Sequence, residues 1–254
     1  MFTTFDPRFT TFYRMKYRKF STGFNSIVMH LPKSGIRDVM VRADMLRDQM
    51  SKSGIVENIV RLEVGQPNFS TPAHVINAAH DSLRRGDTKY IPNAGLWHLR
   101  EAISEEYFMK KNLIPTVPEQ IIVTPGSMVS LFSLLSLFLS SGDECLVPVP
   151  GFPNYTQIIS LLRAQPIPYL CKSSAGFLPQ ISDLENLINP RTKCIIVCNP
   201  GNPSGAKFPK VLVQEIVMFA KKHDIFIISD GQLMKLSPKL IFIKINLTYR
   251  LYFH

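Results

Sequence analysis

Four strings in this 254-residue sequence place groups with chemistry at the ends of apolar runs. Thr124-Pro125-Gly126-Ser127-Met128 follows the run 120–123 and leads into an apolar helical pattern. Glycine permits close backbone approach, and N–H groups at a helix start attract a dianionic phosphate. By itself such a strand–glycine–helix turn binds nothing in many proteins. Pro150-Gly151-Phe152-Pro153-Asn154-Tyr155 follows the run 145–149 and offers an aromatic face, with a core position for Phe152 as the competing reading. Asn199-Pro200-Gly201-Asn202-Pro203-Ser204-Gly205 follows 193–198. A double Asn-Pro turn has no packing rationale; it fixes a loop so that one side-chain amide points at one spot. Ser229-Asp230 closes the apolar run 225–229. A buried acid there must be paired or hydrogen-bonded, which calls for a cationic partner.

Positioning these groups falls to alternating helices and strands. The runs at 120–123, 145–149, 166–170, 193–198 and 225–229 read as strands, with helices at about 127–140, 154–164, 182–189 and 209–223. Ser182 and Glu185 have capping-box spacing at the start of the third of these helices. Upstream, Thr71-Pro72 offers an N-cap followed by proline at the first helical position. Val75, Ile76, Ala79 and Leu83 then form one apolar face, and Gly86 closes the helix. A second helix spans Leu96 to Lys110, with Leu99, Ile103 and Tyr107 in register. Apolar strands without alternation, separated by helices, predict an α/β fold with a mostly parallel sheet sandwiched by helices. Ligands in such folds sit beyond the carboxyl ends of the strands.

Charge and cysteine usage narrow the function classes. The formal net charge is +10, but residues 1–30 and 231–254 each carry +4, leaving +2 for the 200 residues between. A nucleic-acid surface is therefore not expected. No apolar run reaches the roughly 18–20 residues of a membrane span. Cys145, Cys171, Cys194 and Cys198 show no CxxC spacing; Cys194 and Cys198 flank an Ile-Ile-Val run and read as small buried residues in a reduced compartment. Residues 1–30 are basic, aromatic and nearly free of acids, which suits a transit peptide or a basic extension, and a cytoplasmic or mitochondrial location. The chain divides by pattern into that extension, an N-terminal segment over 31–71, a partial large domain over 72–230 and a divergent tail over 231–254. The tail has no acids, and a β segment is expected around 240–247.

Taken in order, these strings resemble the fold-type I, pyridoxal-phosphate (PLP) dependent class I/II aminotransferases. Gly65-Gln66-Pro67 with Phe69 and Pro72, Tyr90 with Gly95 and Leu99-Arg100, the Gly126 turn, Gly142-Asp143-Glu144, Phe152 with Tyr155, the Asn-Pro loop and Ser229-Asp230 carry the resemblance over about 35–230. It implies amino-group transfer between an amino acid and a 2-oxo acid, with PLP as cofactor, in a homodimer. By resemblance the backbone of Gly126, Ser127 and Met128 cradles the phosphate, and Tyr90 reaches it across the dimer interface. Phe152 stacks on the ring, Asn202 bonds the ring hydroxyl, Asp230 keeps the ring nitrogen protonated, and Gly65 lines the substrate pocket. A dinucleotide-binding domain is the reading from another class; it lacks a GxGxxG after the first strand.

The family pattern then stops. Leu233 stands where members have a tyrosine, and the 24 residues after Asp230 hold no Ser-rich turn with a Schiff-base lysine and no later arginine for the substrate carboxylate. Lys239, in Ser237-Pro238-Lys239, follows Asp230 too closely for that lysine. The expectation is half a site with no catalytic residue: PLP binding without turnover. The alternative is a non-catalytic PLP-binding or dimerising splice form that pairs with a full-length paralogue, or an incomplete gene product. Aspartate, aromatic and alanine-type donors stay open, with the spacing closest to the aspartate- and aromatic-type group.

Overall fold

A computed structural model describes residues 26–31, 35–55, 59–63, 65, 69–105 and 117–231. Most of the basic extension, the second helix beyond residue 105, Gln66, Pro67, Leu233, Lys239 and the segment 240–247 lie outside these residues. After a short helical turn over Ser26–His30, the elements in chain order are α1 (Gly35–Lys52), α2 (Ala73–Arg84), α3 (Trp97–Ile103) and α4 (Ser127–Phe138). Then come β1 (Glu144–Val149), α5 (Asn154–Leu161), β2 (Gln165–Leu170) and α6 (Ile181–Glu185), followed by β3 (Thr192–Cys198), α7 (Lys210–Lys222) and β4 (Phe226–Asp230). The described residues fall into two units, one within 33–130 and the other comprising 26–31 with 131–231.

In the second unit the four strands form one parallel sheet in the order β2-β1-β3-β4. Successive side chains of a strand point to opposite faces, so each apolar run feeds two cores. Cys145, Val147, Cys194, Ile196 and Ile228 join Leu131 and Leu135 of α4 and Tyr155 and Ile159 of α5. Leu146, Ile195, Val197 and Ile227 instead meet Leu184 of α6 and Ile216, Phe219 and Ala220 of α7. Burial on both faces is why no polar alternation appears in β1, β3 and β4; each such side chain contributes about 1.5–3 kcal/mol. Strand β2 is different. It lies at the sheet edge, carries Pro166 and Pro168, and fully buries only Tyr169, whose hydroxyl donates to the Ile196 carbonyl at 2.8 Å. Proline is tolerated there because an edge strand has one side without ladder partners.

All four cysteines are buried and free, as expected of small core residues. Several local expectations were overridden. The run 120–123 is not a strand: a 3-10 turn over Pro118–Gln120 precedes it, and Val123 donates to the Ala94 carbonyl at 3.0 Å. Three apolar residues, Ile121 to Val123, with no neighbouring strand among the described residues of their unit cannot build a ladder, and Ile122 is exposed. At α2 the proline is the N-cap itself, the helix starts at Ala73, and no side chain caps it. Gly86 does terminate that helix, with φ +78° and its N–H on the Leu83 carbonyl. The α2 apolar face of Val75, Ile76 and Leu83 is exposed. Helix α6 is one turn, capped at Gln180 rather than Ser182. Glu185 forms no capping box. It accepts from Lys222 Nζ at 2.9 Å and bonds His223 Nε2 at 2.8 Å, so a tertiary ion pair displaces the local cap. The Lys222 hydrogen bond, then that of His223, holds the Glu185 carboxyl below its usual value.

Candidate cofactor site

The predicted site residues fall in both units, and each part is built by its own local chemistry. In the first unit, Gly126 has φ +98° and no heavy atom within 4 Å of where a Cβ would stand, so the backbone there is open to a ligand. Its carbonyl starts helix α4 by accepting from Val129 N at 3.2 Å and Ser130 N at 3.5 Å. Thr124 Oγ1 donates to the same carbonyl at 3.0 Å and lies 2.6 Å from Ser130 Oγ, tying the turn to the helix. Ser127 and Met128 thus occupy the first turn of a 12-residue helix, where backbone N–H groups favour an anion. Gly95 is fixed by two constraints: φ +95°, and a Cβ that would come within 2.8 Å of Val123. Arg100 anchors the same unit, donating to the Pro118 carbonyl at 3.1 Å and lying 5.0 Å from the Trp97 ring. Tyr90 is fully exposed, and Gly65 is exposed with no heavy atom within 4 Å of its Cβ position.

In the second unit, three predicted strings converge at the carboxyl ends of the strands. Asp230 ends β4 and is 3% exposed. The Tyr155 hydroxyl, from the first turn of α5, donates to Asp230 Oδ2 at 2.6 Å. The Tyr155 hydroxyl is thus one partner of this buried acid, and a short O–H bond to a carboxylate oxygen satisfies part of its need. Burial, then the charge on Asp230, raises the Tyr155 pKa far above its ordinary value, so the phenol remains a donor. Phe152 is half-buried and meets the Tyr155 ring edge-on, with centroids 5.6 Å apart and planes at 82°. Backbone continuity ties the Asn-Pro loop to the same place, since Asn199 N donates to the Asp230 carbonyl at 3.2 Å.

The loop itself is held by its own polar groups. Gly201 N donates to the Ala206 carbonyl at 2.8 Å, Gly205 N to the Gly201 carbonyl at 2.7 Å, and Phe208 N to Asn199 Oδ1 at 3.0 Å. A Cβ on Gly201 would come within 2.6 Å of Ser204 Oγ, so a larger residue there would have to turn the serine hydroxyl away. The peptides before Pro150, Pro200 and Pro203 are cis. Asn202 is half-buried and, with Cys171, Cys198, Ser204 and Phe208, lines a cavity of about 10 Å³, room for roughly one water. Burial pushes the Cys198 thiol above its ordinary pKa, which suits a packing role rather than a reactive one.

Two polar features were missed at the level of sequence. The sequence places Tyr155 beside Phe152 in an aromatic face and among the family hallmarks but does not give its bond to Asp230; its spacing of three from Phe152 at a helix start is the available signal for their contact. Glu144, 3% exposed at the amino end of β1, accepts from Arg191 Nε and Nη2 at 2.9 and 2.6 Å and from Asn189 Nδ2 at 2.6 Å. That clamp lies at the opposite end of the strand from Phe152 and serves the fold.

A parallel sheet covered by helices on both faces, with a buried carboxylate and an Asn-Pro loop at its carboxyl edge, defines an α/β protein of the open-sheet type, in which ligands sit beyond the carboxyl ends of the strands. The chain belongs to the aminotransferase class I and II family, whose model matches residues 57–232. It is 35% identical over 182 residues to the aspartate/prephenate aminotransferase of Thermus thermophilus, covering 72% of this chain and 46% of the relative. It is 34% identical over 192 residues to aromatic-amino-acid aminotransferase 2 of Thermococcus litoralis, covering 75% and 49%. Among solved structures, Thermus thermophilus aspartate aminotransferase with maleate superposes with a TM-score of 0.75 at 34% identity, over 82% of this chain and 53% of that one. Alanine aminotransferase from Pyrococcus furiosus gives 0.75 at 31% identity, over 82% and 51%. The chain spans about half the length of the curated relatives it matches. Members of the family use PLP as cofactor.

Proposed function

We propose that this chain is the cofactor-binding half of a PLP-dependent aminotransferase, a catalyst of amino-group transfer between an amino acid and a 2-oxo acid. The observation that carries the reading is the buried Asp230 carboxylate at the end of β4, oriented by the Tyr155 hydroxyl at 2.6 Å. An ionised carboxylate in such surroundings favours a protonated ring nitrogen beside it. When bound, the cofactor supplies an electron sink for charge developed at the substrate α-carbon. The chain's residues hold and tune it. Asp230 keeps the ring proton in place, Phe152 supplies a stacking face, and the Asn202 amide donates to the ring hydroxyl. The first-turn backbone of Gly126, Ser127 and Met128 takes the phosphate, and Gly65 lines the substrate side. Tyr90, fully exposed here, is suited to reach the phosphate of a second subunit in a homodimer.

The relatives' names support aspartate- and aromatic-type donors, with alanine-type donors still open. Leu233 and Lys239 do not match the positions of the family's tyrosine and Schiff-base lysine, so this chain on its own is expected to bind without turnover. One observation favours a second reading. The family match stops at residue 232, where the acid-free tail begins. That pattern suits a non-catalytic, dimerising splice form that pairs with a full-length paralogue, or an incomplete gene product. The basic, acid-poor first 30 residues support a cytoplasmic or mitochondrial location.

A PLP titration of the purified chain tests the reading. Saturable binding that weakens in Asp230→Ala, with no lysine trapped by borohydride and no transamination, is the expected result. Absence of binding would remove the proposal; a trapped lysine with turnover would overturn the inactivity.

A further inference from the structure

The Asn-Pro loop is fixed at both ends to well-packed parts of the second unit. At its start, Asn199 follows the last residue of β3, and its N–H donates to the Asp230 carbonyl at 3.2 Å, continuing the β3–β4 ladder. At its end, Phe208 is buried in one core with Ile216 and Phe219 of α7. One side-chain bond joins the two ends: Phe208 N donates to Asn199 Oδ1 at 3.0 Å, across nine positions. The other side-chain bonds of the loop act locally, Ser204 Oγ accepting from Ala206 N at 3.3 Å and Cys198 Sγ lying 3.4 Å from the Pro200 carbonyl. Residues 200–207 thus lie inside a frame that the Asn199 side chain closes. Within it, Asn202 is half-buried, and its side-chain amide makes no hydrogen bond among the described residues.

We propose that Asn199 is a positioning residue of the cofactor site: by holding Phe208 N it fixes where the Asn202 amide stands relative to Asp230. The reason is conformational entropy. Without that bond the loop is closed only by the inner backbone bonds of Gly201 and Gly205. A loop that must be ordered when its ligand arrives binds more weakly than one already held in place. The Asn199 backbone sits on Asp230 and its side chain on the far end of the loop, so it links the two groups assigned to opposite parts of the ring. The inference rests on the PLP reading and gives Asn199 no contact with the cofactor.

PLP titration and amide hydrogen exchange on the full chain test it together. Asn199→Ala should speed exchange at the Phe208 amide while the Ile228 amide, in the sheet, stays slow. PLP affinity should fall roughly two- to ten-fold, the contribution of one hydrogen bond. Asn199→Asp keeps an oxygen at the same place and should keep the Phe208 amide slow. In an Asn202→Ala background, Asn199→Ala should lower affinity by less than about two-fold, because its effect passes through the Asn202 amide. A general loosening would act equally in both backgrounds. Unchanged affinity in Asn199→Ala, equal losses in the two backgrounds, fast exchange at Ile228, or loss of Phe208 protection in Asn199→Asp would each overturn the inference and leave the cofactor reading standing. No PLP binding by the unsubstituted chain would overturn both.

Discussion

The Tyr155 hydroxyl and the Asp230 carboxylate meet at 2.6 Å although 75 positions separate them in sequence. The bond joins the first turn of α5 to the end of β4, and it gives a buried carboxylate a partner that does not neutralise it. Both stability and the proposed cofactor role draw on this contact.

Tyr155→Phe keeps the ring and its edge-on contact with Phe152 while deleting the donor. A hydrogen bond to a charged group contributes about 1.5–3 kcal/mol, so the urea midpoint should fall by a corresponding amount. Asp230→Asn in the same background should then cost less than it does alone, because the two share one interaction.

Alkaline pH gives a second reading of the same residue. In the unfolded chain the phenol ionises near pH 10, while in the folded chain burial and the Asp230 charge hold it protonated well above that. A folded pKa raised above the unfolded one contributes stability that is fully present below about pH 10 and is lost as pH rises further. Stability should decline with pH above about 10, and Tyr155→Phe should remove about 1.4 kcal/mol per pH unit from that slope. Denaturant titrations across that range check it.

Gly95 and Gly126 separate two reasons for glycine. Both have positive φ, but only Gly95 has a neighbour, Val123, where a Cβ would go. Gly95→Ala should cost about 1–3 kcal/mol more than Gly126→Ala, since overpacking is added to backbone strain. Thermal unfolding of the two variants decides it, and equal losses would contradict the assignment.

Leu135 and Leu137 lie two residues apart on α4, one fully buried against the sheet and one 65% exposed. Leu135→Ala should destabilise by about 2–5 kcal/mol, and Leu137→Ala by no more than about 0.5. A similar loss from both would mean that the exposed face of α4 is covered in solution.

How much of this was legible beforehand depended on the range of the forces involved. Apolar runs and glycine–proline punctuation act within a few residues, so β1, β2, β3 and β4 were legible, as were α4, α5 and α7 and the turn at Gly126. The same local reading failed at 120–123 and at Ser182, because a strand needs a partner backbone and a cap competes with other acceptors. Helix α1 was not anticipated; its 18 residues bury none of their side chains, so the sequence carried no core-facing stripe to read.

For the site, sequence by itself determined which groups are present: Gly126 at a helix start, Phe152, Asn202 in its double Asn-Pro turn, and Asp230 at a strand end. Their order along the chain was enough to indicate the family. What only the tertiary structure decided was the company they keep. Asp230 meets the Tyr155 phenol, Glu185 joins Lys222 and His223 rather than its own helix cap, and Glu144 takes Arg191 and Asn189. Those pairings join residues 37 to 75 positions apart, and hydrogen bonds of that kind are set by which strands lie side by side. Strand order is a property of packed faces, and no periodicity within a single segment encodes it.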